Sequence, residues 1–320
     1  MSFTRRLGRS NIEVSALGLG CWAIGGPFLD PQGNPVGWGD VDDTESIRAI
    51  HRGLDLGVTF WDTANVYGTG HSERVLGVAL SGQRDKAVIA TKFGRVFTDG
   101  ARQFVGTDLS PAHIRKSCEQ SLVRLGTDYI DLYQLHIGDA NPQYAPEIRE
   151  TLEQLVQEGK IRAYAWSTDD PERARIFAEG PHCAAVQFQI NLFERNDAMV
   201  ALLDEYNLAG IVRGPLARGL LTGKFDVNSK LPENDVRRNW DFRQGEQATL
   251  LAKLDALREV LTRDGRTMAQ AALGWLWAHS ERLIPIPGFK SVRQVEDNAG
   301  ALHAGPLSSE QMAEIDTLLQ

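Results

Sequence analysis

The sequence predicts a (β/α)₈ barrel, and three observations support that prediction. Short apolar runs typical of strands alternate with amphipathic helical segments along almost the whole chain. The alternation yields about eight pairs of one strand and one helix, the number that closes a barrel of parallel strands. A doubly wound open sheet would also alternate, but it usually carries a GxGxxG turn after its first strand, and no such turn follows here.

The eight predicted strands are short apolar runs bounded by turn-forming residues. They cover residues 17–21, 58–61, 87–91, 129–135, 162–166, 185–189, 210–213 and 283–285. The helices predicted between and after them cover residues 44–56, 72–80, 111–125, 146–158, 171–179, 196–206, 268–278 and 292–302. Two further helices, at 247–261 and 309–318, exceed the eight units and are expected to be additions to the barrel.

Several helix starts carry capping residues. Ser110 precedes Pro111, which places a capping hydroxyl before a proline at the first helical position. Thr267 with Gln270, and Ser291 with Gln294, both match the capping-box pattern. Glu73 and Arg74 are expected to form an ion pair of small worth at the surface or in a loop.

Three segments are too long to be plain connections. They cover residues 25–43, 94–109 and 225–244, and each follows a predicted strand. A barrel would therefore place them at the rim formed by the C-terminal ends of its strands, where barrel enzymes hold their substrates. Aromatic side chains in and near these segments predict a substrate pocket lined by Trp22, Trp38, Phe93, Trp240 and Phe242.

Composition and charge exclude several classes of protein. The 320 residues include 34 Lys plus Arg and 42 Asp plus Glu, a formal net charge of −8, which disfavours nucleic-acid binding. No run approaches the ~20 apolar residues of a membrane span. The N-terminus has no apolar stretch of the kind found in a secretion signal.

Three widely spaced cysteines are expected to be free thiols in a reducing compartment, the cytoplasm. One domain is expected over residues 1–320, as a monomer or homo-oligomer.

Three ionisable residues stand at the ends of three successive predicted strands. Asp62 follows residues 58–61, Lys92 follows 87–91, and His136 follows 129–135. The C-terminal ends of barrel strands meet at one face, so these side chains are expected to be neighbours. Tyr67 lies in the loop after Asp62 and is expected to join them.

These four residue types suit the reduction of a carbonyl group. Negative charge develops on the carbonyl oxygen as hydride arrives, and a proton donor must meet it. We expect Tyr67 to be that acid, and a neighbouring Lys92 ammonium to lower the tyrosine pKa. Asp62 would hold the lysine charged and oriented. The His136 imidazole would bond the carbonyl oxygen and position it.

The motifs around these residues resemble the aldo-keto reductase family, in its bacterial branch related to channel β-subunit-like proteins. Residues 57–77, GVTFWDTANVYGTGHSERVLG, closely resemble the family signature. Residues 131–136, DLYQLH, resemble its histidine motif, and residues 91–93, TKF, resemble its lysine motif. The resemblance extends from about Leu7 to about Ala304. It implies the (β/α)₈ fold, an oxidoreductase that depends on NADP(H), and the tetrad of Asp62, Tyr67, Lys92 and His136.

The same resemblance implies where the cofactor binds. Ser167 matches the serine of a nicotinamide-binding segment in which Thr168 replaces the usual asparagine. Arg213 stands where many members stack an aromatic ring on the nicotinamide. Lys290 and Arg293 are expected to hold the 2′-phosphate of NADP(H). The full set of expected cofactor contacts is Cys21, Trp22, Ser167, Thr168, Gln187, Arg213, Gly214, Pro215, Leu216, Lys224, Gly288, Lys290, Arg293, Gln294, Asp297 and Asn298.

Two other functions compete with a reductase acting on a small carbonyl compound or alcohol. A regulatory protein would keep the barrel and the cofactor but lose turnover. Related channel subunits typically depart at the histidine, whereas His136 is intact. A metal-dependent hydrolase would use Asp62, His136 and His113, but it typically needs paired histidines on one strand. No H-x-H pair occurs, so no metal site is expected.

Overall fold

The structure, a computed structural model, describes residues 3–98 and 101–319. The strands in this part of the chain are β1 (Thr4–Arg6), β2 (Glu13–Ser15), β3 (Gly18–Gly20), β4 (Phe60–Asp62), β5 (Val88–Phe93), β6 (Arg95–Phe97), β7 (Phe104–Thr107), β8 (Ile130–Leu135), β9 (Ile161–Ser167), β10 (Cys183–Gln189), β11 (Ala209–Arg213) and β12 (Leu283–Pro285). The α-helices in the same residues are α1 (Asp43–Asp55), α2 (His71–Ala79), α3 (Pro111–Leu125), α4 (Ala145–Gln157), α5 (Pro171–Ala178), α6 (Asp197–Tyr206), α7 (Gly245–Thr262), α8 (Met268–His279), α9 (Val292–Ala304) and α10 (Ser309–Leu319).

Eight of these strands form one parallel sheet, in the order β3-β4-β5-β8-β9-β10-β11-β12. The two edges of this sheet meet and close the barrel. At the closure the Gly20 amide donates to the Pro287 carbonyl at 3.0 Å, and Gly20 pairs with Gly288. A Cβ at Gly20 would lie 2.9 Å from the Ile286 carbonyl oxygen, so glycine permits this close approach. The predicted barrel is therefore confirmed, with each predicted strand within a few residues of an observed one.

The barrel interior and its outer shell are two separate apolar cores. Inside, Phe60, Ala90 and Leu132 pack with residues of the other strands. The larger cluster fills the space between the strands and the surrounding helices. This division follows from the two-residue period of a strand, which sends alternate side chains inward and outward.

Two hairpins were not predicted from the sequence. Strands β1 and β2 pair antiparallel, and Leu7, Ile12 and Val14 of this hairpin pack into the interior core. Strands β6 and β7 form a second hairpin within residues 94–109, which were expected to be loop. Strands of three or four residues are too short to show a clear periodic pattern in the sequence.

The three long segments meet one another at the rim. The Leu29 amide donates to Arg102 O at 2.8 Å, which joins the first segment to the second hairpin. The Val236 amide donates to Gly37 O at 2.8 Å, which joins the first segment to the third. No α-helix among the described residues is long and apolar enough to cross a membrane.

Helix capping followed the sequence with one exception. Ser110 accepts a bond from the His113 amide, and Thr267 and Gln270 form the full capping box. At α9 only half of the expected box forms. Ser291 accepts from the Gln294 amide, but the Gln294 side chain accepts from the Lys290 amide instead.

The expected surface pair of Glu73 and Arg74 is wrong. Glu73 has no exposed surface and pairs with Arg124, whose Nε lies 2.6 Å from Glu73 Oε2. The Thr91 hydroxyl donates to the other carboxylate oxygen at 2.5 Å. Glu73 thus links α2 to α3 and β5, and it lies beside the strand that carries Lys92.

Candidate active site

A layer of polar side chains closes the upper end of the barrel interior. Each of its members lies two residues beyond an inward-facing apolar residue of the interior core. Asp62 follows Phe60, Lys92 follows Ala90, Gln134 follows Leu132, Gln187 follows Ala185, and Ser167 follows Ala165. The strand period therefore aims all five side chains at one region at the C-terminal ends of the strands.

Asp62 and Lys92 form an ion pair inside this layer. The Lys92 Nζ donates to Asp62 Oδ2 at 2.5 Å and to the Thr63 carbonyl at 2.8 Å, and its side chain has no exposed surface. Burial acts to lower the pKa of Lys92, but Asp62 and Tyr67 outweigh burial and hold that pKa above its ordinary value. Lys92 is therefore charged at neutral pH.

The second oxygen of Asp62 is held by two amides. Gln134 Nε2 donates to Asp62 Oδ1 at 2.9 Å, and Gln187 Nε2 donates to the same atom at 2.8 Å. Gln187 also donates to Gln134 Oε1 at 3.3 Å. Both carboxylate oxygens are thus bonded, which fixes the orientation of the ion pair. Sequence reasoning missed Gln134, although a polar residue inside an apolar strand, two positions before His136, is a signal for it.

Tyr67 joins the pair from the loop after β4. Its hydroxyl accepts a bond from Lys92 Nζ at 3.2 Å, and its ring stacks on Trp22 with centroids 5.8 Å apart. The neighbouring Gly68 has a φ of +58°, and a Cβ there would lie 1.9 Å from the Gly25 carbonyl oxygen. The sharp turn that delivers Tyr67 to Lys92 therefore requires glycine.

The expected lowering of the tyrosine pKa is wrong in its net direction. Burial raises the pKa of Tyr67 above its ordinary value, and the opposing effect of Lys92 is smaller. Tyr67 is therefore fully protonated at neutral pH.

His136 lies beside the Tyr67 ring. The two rings are 5.7 Å apart and nearly perpendicular, and the His136 amide donates to Phe93 O at 2.9 Å. Its buried Nδ1 has no hydrogen-bond partner among the described residues. Burial, and then the charges of Lys92, Arg95 and Arg213, hold the pKa of His136 well below its ordinary value. The imidazole is therefore neutral at pH 7.

The residues required for a metal-dependent hydrolase do not assemble. His113 lies on α3, where it bonds Ser117 at 3.1 Å and pairs with Asp108 at 3.7 Å. The described residues contain no group of three or more His, Cys, Asp or Glu side chains that could hold a metal ion.

The residues expected around the nicotinamide lie at the mouth, with two exceptions. Ser167 ends β9, and its hydroxyl is 3.5 Å from Gln187 Oε1. Arg213 ends β11, where it pairs with Asp169 and donates to Gln189 at 2.8 Å. Cys21 is fully buried and packs in the outer core, so its thiol does not face the mouth.

Thr168 is the second exception. Its hydroxyl donates to the Gly138 carbonyl at 2.8 Å and accepts from the Asp170 amide at 3.2 Å. The side chain is buried and bonds the loops that follow β8 and β9. In the structure its hydroxyl holds these loops together.

The segments expected to bind the rest of the cofactor follow β11 and β12. Gly214 has a φ of +64°, Pro215 and Leu216 are buried behind it, and Lys224 is exposed. Gly288 is exposed where the barrel edges meet, next to β12.

The helix α9 begins beside these segments. Lys290 Nζ donates to Trp38 O at 3.0 Å, and Arg293 is exposed. Gln294 is exposed, and its side chain bonds the Lys290 amide. Asp297 accepts from the Thr267 hydroxyl at 2.8 Å, so it ties α9 to α8, and the buried Asn298 lies 3.5 Å from Gly288 O.

The expected aromatic pocket divides into three parts. Trp22 stacks on Tyr67 and meets Trp38 edge to face at 5.1 Å, so both lie beside the tetrad. Trp240 and Phe242 pack together with centroids 6.0 Å apart. The Arg237 guanidinium lies over both the Trp38 ring and the Trp240 ring and so links this pair to Trp38.

Phe93 does not line the pocket, and this prediction was wrong. It follows the inward-facing Lys92 by one residue, so it points outward, where it is fully buried against Tyr133 in the outer core.

Comparisons with known proteins show which family and which solved structures the chain resembles. A family model described as the aldo/keto reductase family matches residues 16–320. The chain is 31% identical over 310 residues to the uncharacterised oxidoreductase YqkF of Bacillus subtilis, covering 96% of this chain and 94% of that protein. The structure is similar to that of a glycerol dehydrogenase from Gluconobacter oxydans, with a TM-score of 0.85, 34% identity, and 99% and 95% of the two chains covered.

A third similar structure is an aldo-keto reductase from Klebsiella pneumoniae solved in complex with NADPH. It has a TM-score of 0.71 and 28% identity, and the match covers 100% of this chain and 95% of that one.

The depressed pKa of His136 predicts that its imidazole remains neutral at pH 6, where an ordinary histidine with a pKa of ~6.5 is mostly protonated. Nitrogen-15 NMR of histidine-labelled protein checks this, with His136→Gln used to assign the signals. A His136 signal that titrates at or above pH 6.5 would contradict the site described above.

The same shift has a consequence for stability. Below about pH 6.5 the unfolded chain binds a proton at this position that the folded chain does not, so folding stability falls as the pH decreases. His136→Gln removes this contribution. Its free energy of unfolding is therefore expected to fall less between pH 7.5 and 5.5 than that of the wild type.

Proposed function

The chain belongs to the aldo/keto reductase family, and we propose that it transfers hydride between NADP(H) and an aldehyde or ketone, or the corresponding alcohol, with Tyr67 as general acid and base. The observation on which the proposal rests is the bond from the buried Lys92 ammonium to the Tyr67 hydroxyl, with Asp62 behind the lysine. A protonated tyrosine with a fixed cation at its oxygen is suited to give up a proton and remain as a stabilised anion.

In this proposal Tyr67 and His136 bind the carbonyl oxygen of the substrate. The neutral imidazole donates a hydrogen bond and orients the carbonyl group, while the tyrosine hydroxyl donates its proton as the oxygen gains charge. The phenolate left on Tyr67 is stabilised by Lys92, which keeps its own proton because Asp62 holds it charged. Alcohol oxidation runs the same proton transfer in reverse.

The mouth of the barrel fits a nicotinamide cofactor, which when bound supplies the hydride for reduction or accepts it in oxidation. Ser167 and Gln187 present polar side chains next to Asp62, and Arg213 presents a guanidinium plane that suits stacking on an aromatic ring. Lys290 and the exposed Arg293 bracket the start of α9, where cations and a helix N-terminus favour a phosphate. The bound NADPH of the Klebsiella pneumoniae structure supports the same class of cofactor.

Two further expectations belong to this proposal. The three cysteines are free and buried, which supports a reducing compartment such as the cytoplasm.

A regulatory protein without turnover is the main alternative to a reductase. The intact contact between Lys92 and Tyr67, with His136 beside it, favours an enzyme over that alternative.

Tyr67→Phe tests the proposed acid. The variant removes the hydroxyl and leaves the ring that stacks on Trp22, so NADPH binding should persist while turnover falls on the order of 10²-fold or more. Loss of NADPH absorbance at 340 nm over a broad panel of aldehydes measures the rate, and NADPH fluorescence measures binding. Reduction near the wild-type rate would contradict the assignment.

Lys290→Ala combined with Arg293→Ala tests the cofactor preference. Removing both cations should weaken NADPH binding far more than NADH binding, because the two cofactors differ by the 2′-phosphate. The ratio of the two dissociation constants measures the effect. Arg263→Ala, on an exposed residue paired with Glu314, is a control that should leave the ratio unchanged. An equal loss for both cofactors in the double variant would show that the phosphate is held elsewhere.

A further inference from the structure

Arg95 follows the C-terminal end of the strand that carries Lys92. It is the first residue of β6, and only Gly94 separates it from the end of β5. Its carbonyl accepts a bond from Asn65 Nδ2 at 3.2 Å, and Asn65 is two residues from Tyr67. On the other side, the His136 amide is bonded to Phe93 O at 2.9 Å. The backbone of Arg95 is thus fixed between the tyrosine loop and the histidine strand.

The side chain of Arg95 lies over Phe104, a residue of the second hairpin. Its guanidinium carbon is 5.1 Å from the centre of the Phe104 ring, and Phe104 packs against the apolar cluster that contains Tyr67. The charge of Arg95 also contributes to the depressed pKa of His136. A cation therefore lies close to the position where the carbonyl group of a substrate would be bound.

Among the residues that the structure describes, Arg95 differs from its charged neighbours in having no anionic partner. Lys92 is paired with Asp62, and Arg213 is paired with Asp169. Within residues 3–98 and 101–319, the Arg95 guanidinium makes no hydrogen bond and has no carboxylate oxygen within 4.0 Å. Burial lowers the pKa of Arg95, and Asp139 acts in the opposite direction from a greater distance. A half-buried guanidinium of this kind loses hydration without gaining an anion from the described part of the chain.

We propose that Arg95 binds an anionic group of the substrate, so that the preferred substrates are aldehydes or ketones that carry a carboxylate or a phosphate. The planar guanidinium presents paired donors that match either anion. This inference rests on the proposed reductase function and names the substrate class of the same site. The chain has a net charge of −8, which opposes anions at long range, so the preference must come from cations at the mouth.

Asn65 gives this position a second polar feature. Its amide nitrogen is bonded to Arg95 O, its side chain is 2% exposed, and its Oδ1 has no partner in the described part of the chain. A buried acceptor without a partner in the described residues, on a side chain bonded to the Arg95 main chain, suits a substrate that also carries a hydroxyl group. The two residues together favour a polar substrate over a plain apolar aldehyde.

The test compares matched pairs of aldehydes that differ by the anionic group. Succinic semialdehyde is compared with butanal for a carboxylate, and glycolaldehyde phosphate with glycolaldehyde for a phosphate. For the wild type, kcat/KM with NADPH should be higher for at least one anionic member. In Arg95→Met that preference should fall about tenfold or more, mainly through KM, because a hydrogen bond to a charged group is lost.

Three variants separate this role from a structural one. Arg102→Met changes an exposed arginine of the same hairpin and should leave the preference unchanged. Arg95→Lys keeps the charge and should retain part of it. Asp139→Asn removes the competing carboxylate and should increase it. A decrease with Asp139→Asn would overturn the inference, because Arg95 would then act through an ion pair with Asp139.

The outcomes distinguish the two proposals. If the wild type reduces the neutral and anionic aldehydes equally, or if Arg95→Met lowers kcat/KM for both members of a pair to the same extent, the inference fails and the reductase function stands. If the wild type reduces none of the four, and none of a broad aldehyde panel, the proposed function fails and the inference fails with it.

Discussion

The Lys92 ammonium is wholly buried at the mouth of the barrel, and an unpaired charge at such a position would be very costly. Asp62, the Thr63 carbonyl and the Tyr67 hydroxyl surround it and satisfy its three donors. Because Asp62 is then also buried, its second oxygen must be bonded, and Gln134 and Gln187 do this. The polar layer is therefore one connected network, in which each member satisfies a requirement set by the lysine.

The barrel provides the positions for this network. The strand period sends the apolar residues Phe60, Ala90 and Leu132 inward one level below, and they separate the polar layer from the lower end of the barrel. A low-dielectric floor strengthens the interactions above it. The result is a tyrosine that is protonated, a histidine that is neutral and a lysine that is charged, all at neutral pH. This combination suits the proposed transfer of a proton from Tyr67 to a carbonyl oxygen.

Much of the architecture and the four central residues could be predicted from the sequence, because strand ends in a barrel lie together in space. The errors have physical causes. Phe93 is an aromatic residue near a long rim segment, but it is adjacent to the inward-facing Lys92, and adjacent residues of a strand face opposite sides. Glu73 is adjacent in sequence to Arg74, but its actual partner, Arg124, is fifty-one residues away in sequence. Gln134 and the bonds of Thr168 depend on contacts between strands, which no local pattern records.

The central claim is that the charges of Asp62 and Lys92 serve proton transfer by Tyr67 more than they serve folding. The most direct measurement is single-turnover oxidation of bound NADPH by an aldehyde in the variant that combines Asp62→Asn with Lys92→Met. Removing both charges avoids leaving one of them buried alone. The account predicts a folded barrel by circular dichroism, NADPH binding close to that of the wild type, and a hydride-transfer rate lower by about 10²-fold or more. A folded variant that transfers hydride at the wild-type rate would contradict it.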